Sequence, residues 1–395
     1  MSDRALPLLD QSPTDPDFVQ NPYPVYARAR RHGPMLWWDA YAMMAVFDHA
    51  TVQTVLRDRR WGREVPASRA PAVPPHLEAF YAVEAHSMLE LDPPRHTRLR
   101  ASVLRAFTSR RIAALEPEIT ALCHKLIDDF PPAPFDLLQR YCTPLPVIVI
   151  ARLLGVPDTL APDLLRWSGA MVAMYQANRT HATEVAAGVA AAEFTDFLRG
   201  YVTERRARPG DDLITHLIAA EADGARLSTD ELITTCILLL NAGHEASVHT
   251  LGNGVAALLA AGGLPGSADM PSVVEEILRY DPPLHLFTRN ATQPVTLHGH
   301  DFAPGDPIAL MLGSAGRDPL VFERPDMFDV TRPPAPHAAF GGGLHFCVGA
   351  PLARLEMQIA LRVLFDRCPG LRLRETPRYA DVYHFHGLEA LRVTA

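Results

Sequence analysis

Phe340-Gly341-Gly342-Gly343-Leu344-His345-Phe346-Cys347-Val348-Gly349-Ala350-Pro351 sets one cysteine among four glycines, just ahead of a proline. Such a glycine cluster first raises nucleotide binding, and the stretch fits neither form of it. A P-loop needs Gly-Lys and then Ser or Thr after four spacers, and a dinucleotide turn needs glycine where Phe346 stands. What remains is a thiol held by glycines at the start of a helix expected from near Pro351, a residue suited to a first helical turn. Unpaired N–H groups and the helix dipole there favour the thiolate. Two chemistries use it: Cys347 as a nucleophile with His345 as its base, or Cys347 as an axial ligand of haem iron. A buried, inert cysteine is the third reading, and it leaves the crowded glycines without a purpose.

Working outward, the clearest helix signal runs from Ser228 to about Leu259. Ser228 with Glu231 three residues on forms a capping box, and Gly262-Gly263 lies just past the end. The segment is apolar nearly all round and is expected to be buried. Inside it stands Asn241-Ala242-Gly243-His244-Glu245-Ala246-Ser247, an unfavourable set for the middle of a buried helix. Either Gly243 lets another helix approach closely, or a bulky ligand rests on it and Glu245 handles protons beside that ligand.

Phe340-x-x-Gly343-x-x-x-Cys347-x-Gly349 resembles the haem-ligand signature of the cytochrome P450 family. Three further motifs follow in family order, so that the resemblance runs from Pro22 to the C-terminal strands. Glu276-x-x-Arg279 precedes Phe322-x-x-Pro325-x-x-Phe328-Asp329-x-x-Arg332, as the family has it. The resemblance implies that Glu276, Arg279 and Arg332 form a buried ionic cluster with a structural role, since losing one partner strands a charge. Leu91-Asp92-Pro93-Pro94-Arg95-His96-Thr97-Arg98-Leu99-Arg100 is similar to the family segment that binds haem propionates. His96 and Arg100 are one helical turn apart, and Arg289 and His345 resemble further propionate ligands. Ala242-Gly243-x-Glu245 matches the oxygen-side groove. The family usually follows the acid with threonine, whereas this chain has Ala246 and then Ser247.

By resemblance the fold is mainly α with small β-sheets, one haem-thiolate domain over residues 1–395, with a long central helix over haem b (iron protoporphyrin IX). Cys347 is the implied metal ligand. Cofactor contacts fall to His96, Arg100, Arg289, His345, Phe340, Gly341 and Gly349, and catalysis to Glu245, Ser247, Gly243 and Ala242. The implied activity inserts one oxygen atom from O2 into a largely apolar small molecule, with electrons from a separate ferredoxin-type donor. Oxidative coupling or desaturation is the alternative within the family. A cysteine-nucleophile hydrolase or acyltransferase explains Cys347 and His345 but not the distant motifs.

Composition agrees with a globular chain: 395 residues, 48% hydrophobic and 21% charged, with a net charge of −8. That acidity argues against a nucleic-acid partner, and no apolar run is long enough to span a membrane. A soluble, cytoplasmic monomer is expected. Five cysteines at irregular spacing encode neither a disulfide framework nor a structural zinc site. Arg95, Arg98, Arg100, Arg105, Arg110 and Arg111 form a local basic run without an acid, suited to docking an acidic ferredoxin.

Short apolar runs at Met35–Trp38 and Tyr41–Phe47 read as a hairpin, and residues 60–86 as a long irregular loop. Helices are expected near 96–107, 109–130, 137–154, 158–177, 183–207 and 211–221, then short strands from Pro282 to Asp329, a helix from Ala350 to Phe365 and a strand-rich tail. Stretches 60–88, 168–182, Leu240–Ala242, Leu284–Thr288 and His384–Leu388 are the implied pocket walls, mixing Met171, Met174 and Phe287 with polar groups. His298/His300 and His384/His386 read as polar residues of turns or of that pocket rather than as a second metal site.

Overall fold

The computed structural model describes residues 7–219, 221, 222 and 225–395. It divides into two compact units, one of residues 1–70, 252–347 and 376–389, the other of residues 71–251, 348–375 and 390–395. No helix among the described residues is long and apolar enough to cross a membrane.

The first unit is built on a six-stranded sheet. Its strands are β1 (Leu8–Leu9), β2 (Met35–Trp38), β3 (Met43–Val46), β4 (Trp61–Gly62), β5 (Leu286–Ala291) and, beyond the hairpin β6 (Val295–Leu297) and β7 (His300–Phe302), β8 (Pro307–Met311). The spatial order is β1-β2-β3-β8-β5-β4. The expected hairpin is β2–β3, antiparallel with Met35 opposite Val46 and Trp38 opposite Met43. β8 pairs parallel with β3, Ile308 opposite Met44, and antiparallel with β5, Ala309 opposite Thr288. Alternate residues of these strands, including Met44, Val46, Ile308 and Leu310, pack on Val52, Val55 and Leu56 of the His49–Arg57 helix and form the core. Asp48 caps that helix by accepting a hydrogen bond from the Thr51 N–H at 2.8 Å.

The second unit is mostly helical. Trp167 of the Ala161–Val172 helix stacks on Phe194 of the His181–Ala207 helix, with ring centroids 5.0 Å apart. Tyr141 donates its hydroxyl to the Ala360 carbonyl of the Ala350–Arg367 helix at 2.8 Å. Strands Arg372–Leu373, Arg392–Thr394 and Phe135–Asp136 form a small antiparallel sheet.

The long helix spans Thr229–Ala260, 32 residues, or about 48 Å. Its capping box is present: the Glu231 N–H donates to Ser228 Oγ at 3.2 Å, and the Ser228 N–H donates to Glu231 Oε2 at 2.9 Å.

Several boundaries differ from expectation. Residues 60–86 contain a helix, Glu78–Glu84, because Glu-Ala-Phe-Tyr-Ala-Val-Glu has no glycine or proline and buries Phe80 and Val83 three residues apart. The stretch 109–130 breaks into Ser109–Ala113 and Glu116–Asp128, since Pro117 is tolerated only in a first turn. The stretch 137–154 becomes a π-turn at Leu138–Cys142 and a helix at Pro144–Leu154 for the same reason. The tail holds two short strands, and residues 376–391 are mostly irregular, with isolated bridges from Phe385 to Leu284 and from Tyr379 to Leu388. The helix expected at 211–221 covers Leu213–Ala219; residue 220, like residues 1–6, lies outside the described residues.

Candidate functional site

The cysteine loop is closed by its own backbone. The Cys347 N–H donates to the Phe340 carbonyl at 3.0 Å, around a 3₁₀ turn at Gly343–His345. Gly341 and Gly343 sit at φ +66° and +64°, where a side chain would be strained. A Cβ on Gly343 would also lie 2.3 Å from the Leu56 carbonyl oxygen, and one on Gly341 would lie 3.2 Å from Phe287 Cε2. The glycines therefore let the loop lie flat on the His49–Arg57 helix and on β5. The Ala350–Arg367 helix starts three residues past Cys347, with Gly349 as its cap and Pro351 in its first turn.

Cys347 differs from every other cysteine in the chain. Cys123, Cys142, Cys236 and Cys368 are buried, while Cys347 is partly exposed. Burial pushes the thiols of Cys123 and Cys236 up to about 12, and those of Cys142 and Cys368 upward as well, so these four stay protonated.

In the first unit, Arg289 lies on β5 two residues from Phe287 and therefore on the same face of the strand. It is only 3% exposed, and its Nη1 donates to the Thr288 carbonyl at 2.8 Å. His345 and Phe340 are half-buried in the cysteine loop. In the second unit, His96 is buried and Arg100 half-buried, one turn apart on the Arg95–Ala106 helix. Arg98, between them, forms an ion pair with Glu231 of the long helix. Against the upward push of burial, that pair and the Ser228 N–H hold the Glu231 carboxyl below its ordinary range.

The long helix opens to solvent where its sequence is unusual. Ala242 is exposed and Gly243, Glu245 and Ala246 are partly so, whereas Leu239, Leu240, Thr250 and Leu251 are buried. A Cβ on Gly243 would stand 3.1 Å from Ile150 Cγ1, so this glycine admits the Pro144–Leu154 helix. Glu245 is flanked by two histidines, its Oε1 3.2 Å from His249 Nε2 and its Oε2 3.5 Å from His244 Nε2. Burial pushes the Glu245 carboxyl up, but the His249 hydrogen bond and the charges of His249 and His244 hold it below its ordinary range. Burial moves His244 the opposite way, toward the neutral imidazole. The helix is unbroken here, and Ser247 Oγ donates to the Gly243 carbonyl at 3.2 Å. The sequence reading passed over His249, although its i,i+4 spacing from Glu245 was visible. Nearby, the Asn241 Oδ1 and, on the Ala161–Val172 helix, the buried Ser168 Oγ have no hydrogen-bond partner among the described residues.

The implied ionic cluster is present in the first unit. Glu276 accepts two hydrogen bonds from Arg279, Nε to Oε2 at 2.7 Å and Nη2 to Oε1 at 2.8 Å. Arg332 Nε stands 3.3 Å from Glu276 Oε2, and the Asp329 N–H donates to Oε1 at 2.8 Å. His384 and His386 part company: His384 Nε2 is 2.9 Å from the Tyr41 hydroxyl, while His386 Nδ1 is 2.7 Å from Asp281 Oδ1. Asp281 also accepts from Tyr23 and Tyr379, in a buried network whose hydrogen bonds tie the tail to residues 281–285.

A family model described as Cytochrome P450 matches residues 270–369. The cytochrome P450 monooxygenase PikC of Streptomyces venezuelae is 38% identical over 98% of this chain and 94% of its own length. The 6-deoxyerythronolide B hydroxylase of Saccharopolyspora erythraea is 36% identical over 89% of each chain. Among solved structures, P450BioI in complex with an acyl carrier protein ligated to hexadec-9Z-enoic acid superimposes with a TM-score of 0.90 at 31% identity, covering 96% of this chain and 99% of that one.

Proposed function

Since the chain belongs to the cytochrome P450 family of haem-carrying monooxygenases, we propose that it inserts one oxygen atom from O2 into a largely apolar organic substrate bearing a polar handle. In this reading the cofactor is haem b, Cys347 is its thiolate ligand, and a ferredoxin-type protein delivers the electrons. The observation that carries it is the cysteine loop: of five cysteines, only Cys347 is partly exposed, on a glycine turn three residues ahead of a helix.

The residues present fit haem. A thiolate donor suits the iron; in the first unit the buried guanidinium of Arg289, and in the second the imidazole of His96 with the guanidinium of Arg100 one turn on, are each of a kind that suits a carboxylate. The open stretch Ala242–Ala246, with no side chain larger than alanine at three of its five positions, suits a flat macrocycle and a small oxidant. Haem supplies, when bound, the capture and reductive activation of O2.

The chain's own residues do the rest. The loop fixes the Cys347 sulfur through the Phe340 carbonyl and the packing of its glycines. Glu245, held ionised by His249, accepts a proton at the open stretch and hands it on. Ala246 carries no hydroxyl to pass that proton on, and Ser247 spends its own on the Gly243 carbonyl. A group on the substrate completes the relay in this reading, and the unpaired Oδ1 of the partly exposed Asn241 is an acceptor for such a handle. Met171 and Met174 supply apolar wall. The hydroxylase among the relatives, named for a 6-deoxyerythronolide, and the acyl chain held in P450BioI point to oxygenated or acyl carbon skeletons as the compounds to try first.

Two measurements test this. The reduced carbon monoxide complex should show a strongly red-shifted Soret band that Cys347→His abolishes; persistence of the band in the variant excludes the thiolate assignment. Product formed per electron consumed should be high with the true substrate, and should collapse to hydrogen peroxide release for an analogue lacking the handle. Ala246→Thr should restore part of the yield with that analogue. Efficient insertion regardless of the handle would refute substrate-completed proton delivery.

A further inference from the structure

Two histidines and one carboxylate, none of them given a cofactor or catalytic role above, meet on the second unit. His76 belongs to the 3₁₀ turn Pro75–Leu77, and His181 and Glu184 to the first turn of the His181–Ala207 helix. His76 Nε2 is 2.9 Å from Glu184 Oε2, and His181 Nδ1 is 3.9 Å from the same oxygen. One ligand atom from each residue falls within 4.8 Å of the others, and the two imidazole rings lie edge to face with centroids 4.6 Å apart. We infer that His76, His181 and Glu184 form a binding site for a borderline divalent transition metal such as Zn2+, which clamps the Pro75–Leu77 turn to the His181–Ala207 helix.

The donor chemistry and the spacing support it. Two neutral imidazoles and a carboxylate suit Zn2+, Ni2+ or Cu2+ rather than the oxygen-preferring Mg2+ or Ca2+. Ligand atoms at about 2.0–2.1 Å from a tetrahedral Zn2+ stand roughly 3.3 Å from one another, so the observed separations need only small side-chain adjustments. The supports are rigid. A Cβ on Gly188 would lie 2.1 Å from the His76 carbonyl oxygen, so the turn is seated directly on the helix backbone. The Thr180 side chain caps the first turn that carries His181 and Glu184. The side chain of His181 is 76% exposed, which leaves an entry path and an open coordination position for water.

One neighbour opposes the ion. Arg179 Nε stands 3.2 Å from Glu184 Oε1 and competes for the carboxylate. A cation at a helix N-terminus also meets the positive end of the dipole. The site is therefore expected to bind more weakly than a structural zinc centre and to respond to removal of that arginine.

The test uses the full-length, haem-loaded protein without an affinity tag, with ZnCl2 titrated by calorimetry and followed by thermal melting. One Zn2+ per chain is expected to bind and raise the melting temperature. His181→Gln, a change at an exposed position, should weaken binding at least about tenfold, as should His76→Gln. Arg179→Gln should tighten it. No saturable uptake, equal affinity in the parent and His181→Gln, or no gain in Arg179→Gln would each overturn the inference.

Discussion

Glu245 Oε1 stands 3.2 Å from Nε2 of His249, one turn further along the long helix. The pair gives the one acid of the open stretch a partner that favours its ionised form. His249→Ala should therefore raise the Glu245 pKa, because burial then acts with less opposition. The acid limb of the pH–turnover profile is expected to move to higher pH in His249→Ala and to disappear in Glu245→Gln, with turnover in the latter down on the order of 100-fold. A limb that stays in place in His249→Ala would show that the pair does not set this acid.

The Glu276 carboxylate accepts from Arg279 through both oxygens, lies within 3.3 Å of Arg332 and is almost fully buried. Glu276→Ala strands two guanidiniums in a dry environment, at a cost of about 3–5 kcal/mol. Arg332→Ala should cost less, because Arg279 still holds the carboxylate and the Arg332 side chain keeps 13% exposure. Thermal melting and the haem content of purified protein give the ranking. Equal melting temperatures for parent and Glu276→Ala would mean that the cluster adds nothing to stability.

These two arrangements were legible to different degrees. The Glu276–Arg279 pair, the capped long helix and the cysteine turn rest on spacings of ten residues or fewer, where helix period and glycine geometry leave few alternatives. Glu245–His249 obeys the same local rule, four residues apart on one helix. The Arg98–Glu231 ion pair joins residues 133 apart, and the Asp281–His386 bond joins residues 105 apart. No periodicity encodes such contacts, since only the packed chain brings them together. The helix Glu78–Glu84 was hidden by the prolines around it, whose breaking effect reaches only their own turns.

Glu356 lies on the helix that follows Cys347, fully buried, and its Oε1 has no hydrogen-bond partner among the described residues. Burial pushes its carboxyl from the ordinary 4.5 up to about 8. Between those values the unfolded chain has released a proton that the folded chain keeps. Stability should therefore fall as pH rises through this window, by up to about 1.4 kcal/mol per pH unit from this residue. Glu356→Gln, neutral at every pH and of the same shape, should flatten that slope. Melting temperatures of parent and variant between pH 5 and 8, expected to diverge most at the alkaline end, provide the check. Parallel curves would place the proton elsewhere.

The basic run on and after the Arg95–Ala106 helix is less uniform than its sequence. Arg98 is committed to Glu231, and Arg95 donates to the Ala85 carbonyl at 2.7 Å, whereas Arg105 and Arg110 are exposed. If an acidic ferredoxin docks on this face, Arg105 and Arg110 are the charges that steer it. The second-order rate of haem reduction should then fall as salt rises, because charges more than about 8 Å apart are screened at physiological ionic strength. Arg105→Glu with Arg110→Glu should slow reduction on the order of tenfold at low salt and converge with the parent at high salt, with the melting temperature unchanged. Arg98→Glu should behave differently: it sets two carboxylates against each other beside the capped start of the long helix, so its first effect is a lowered melting temperature. A reduction rate indifferent both to salt and to the Arg105/Arg110 reversal would move the docking face away from this helix.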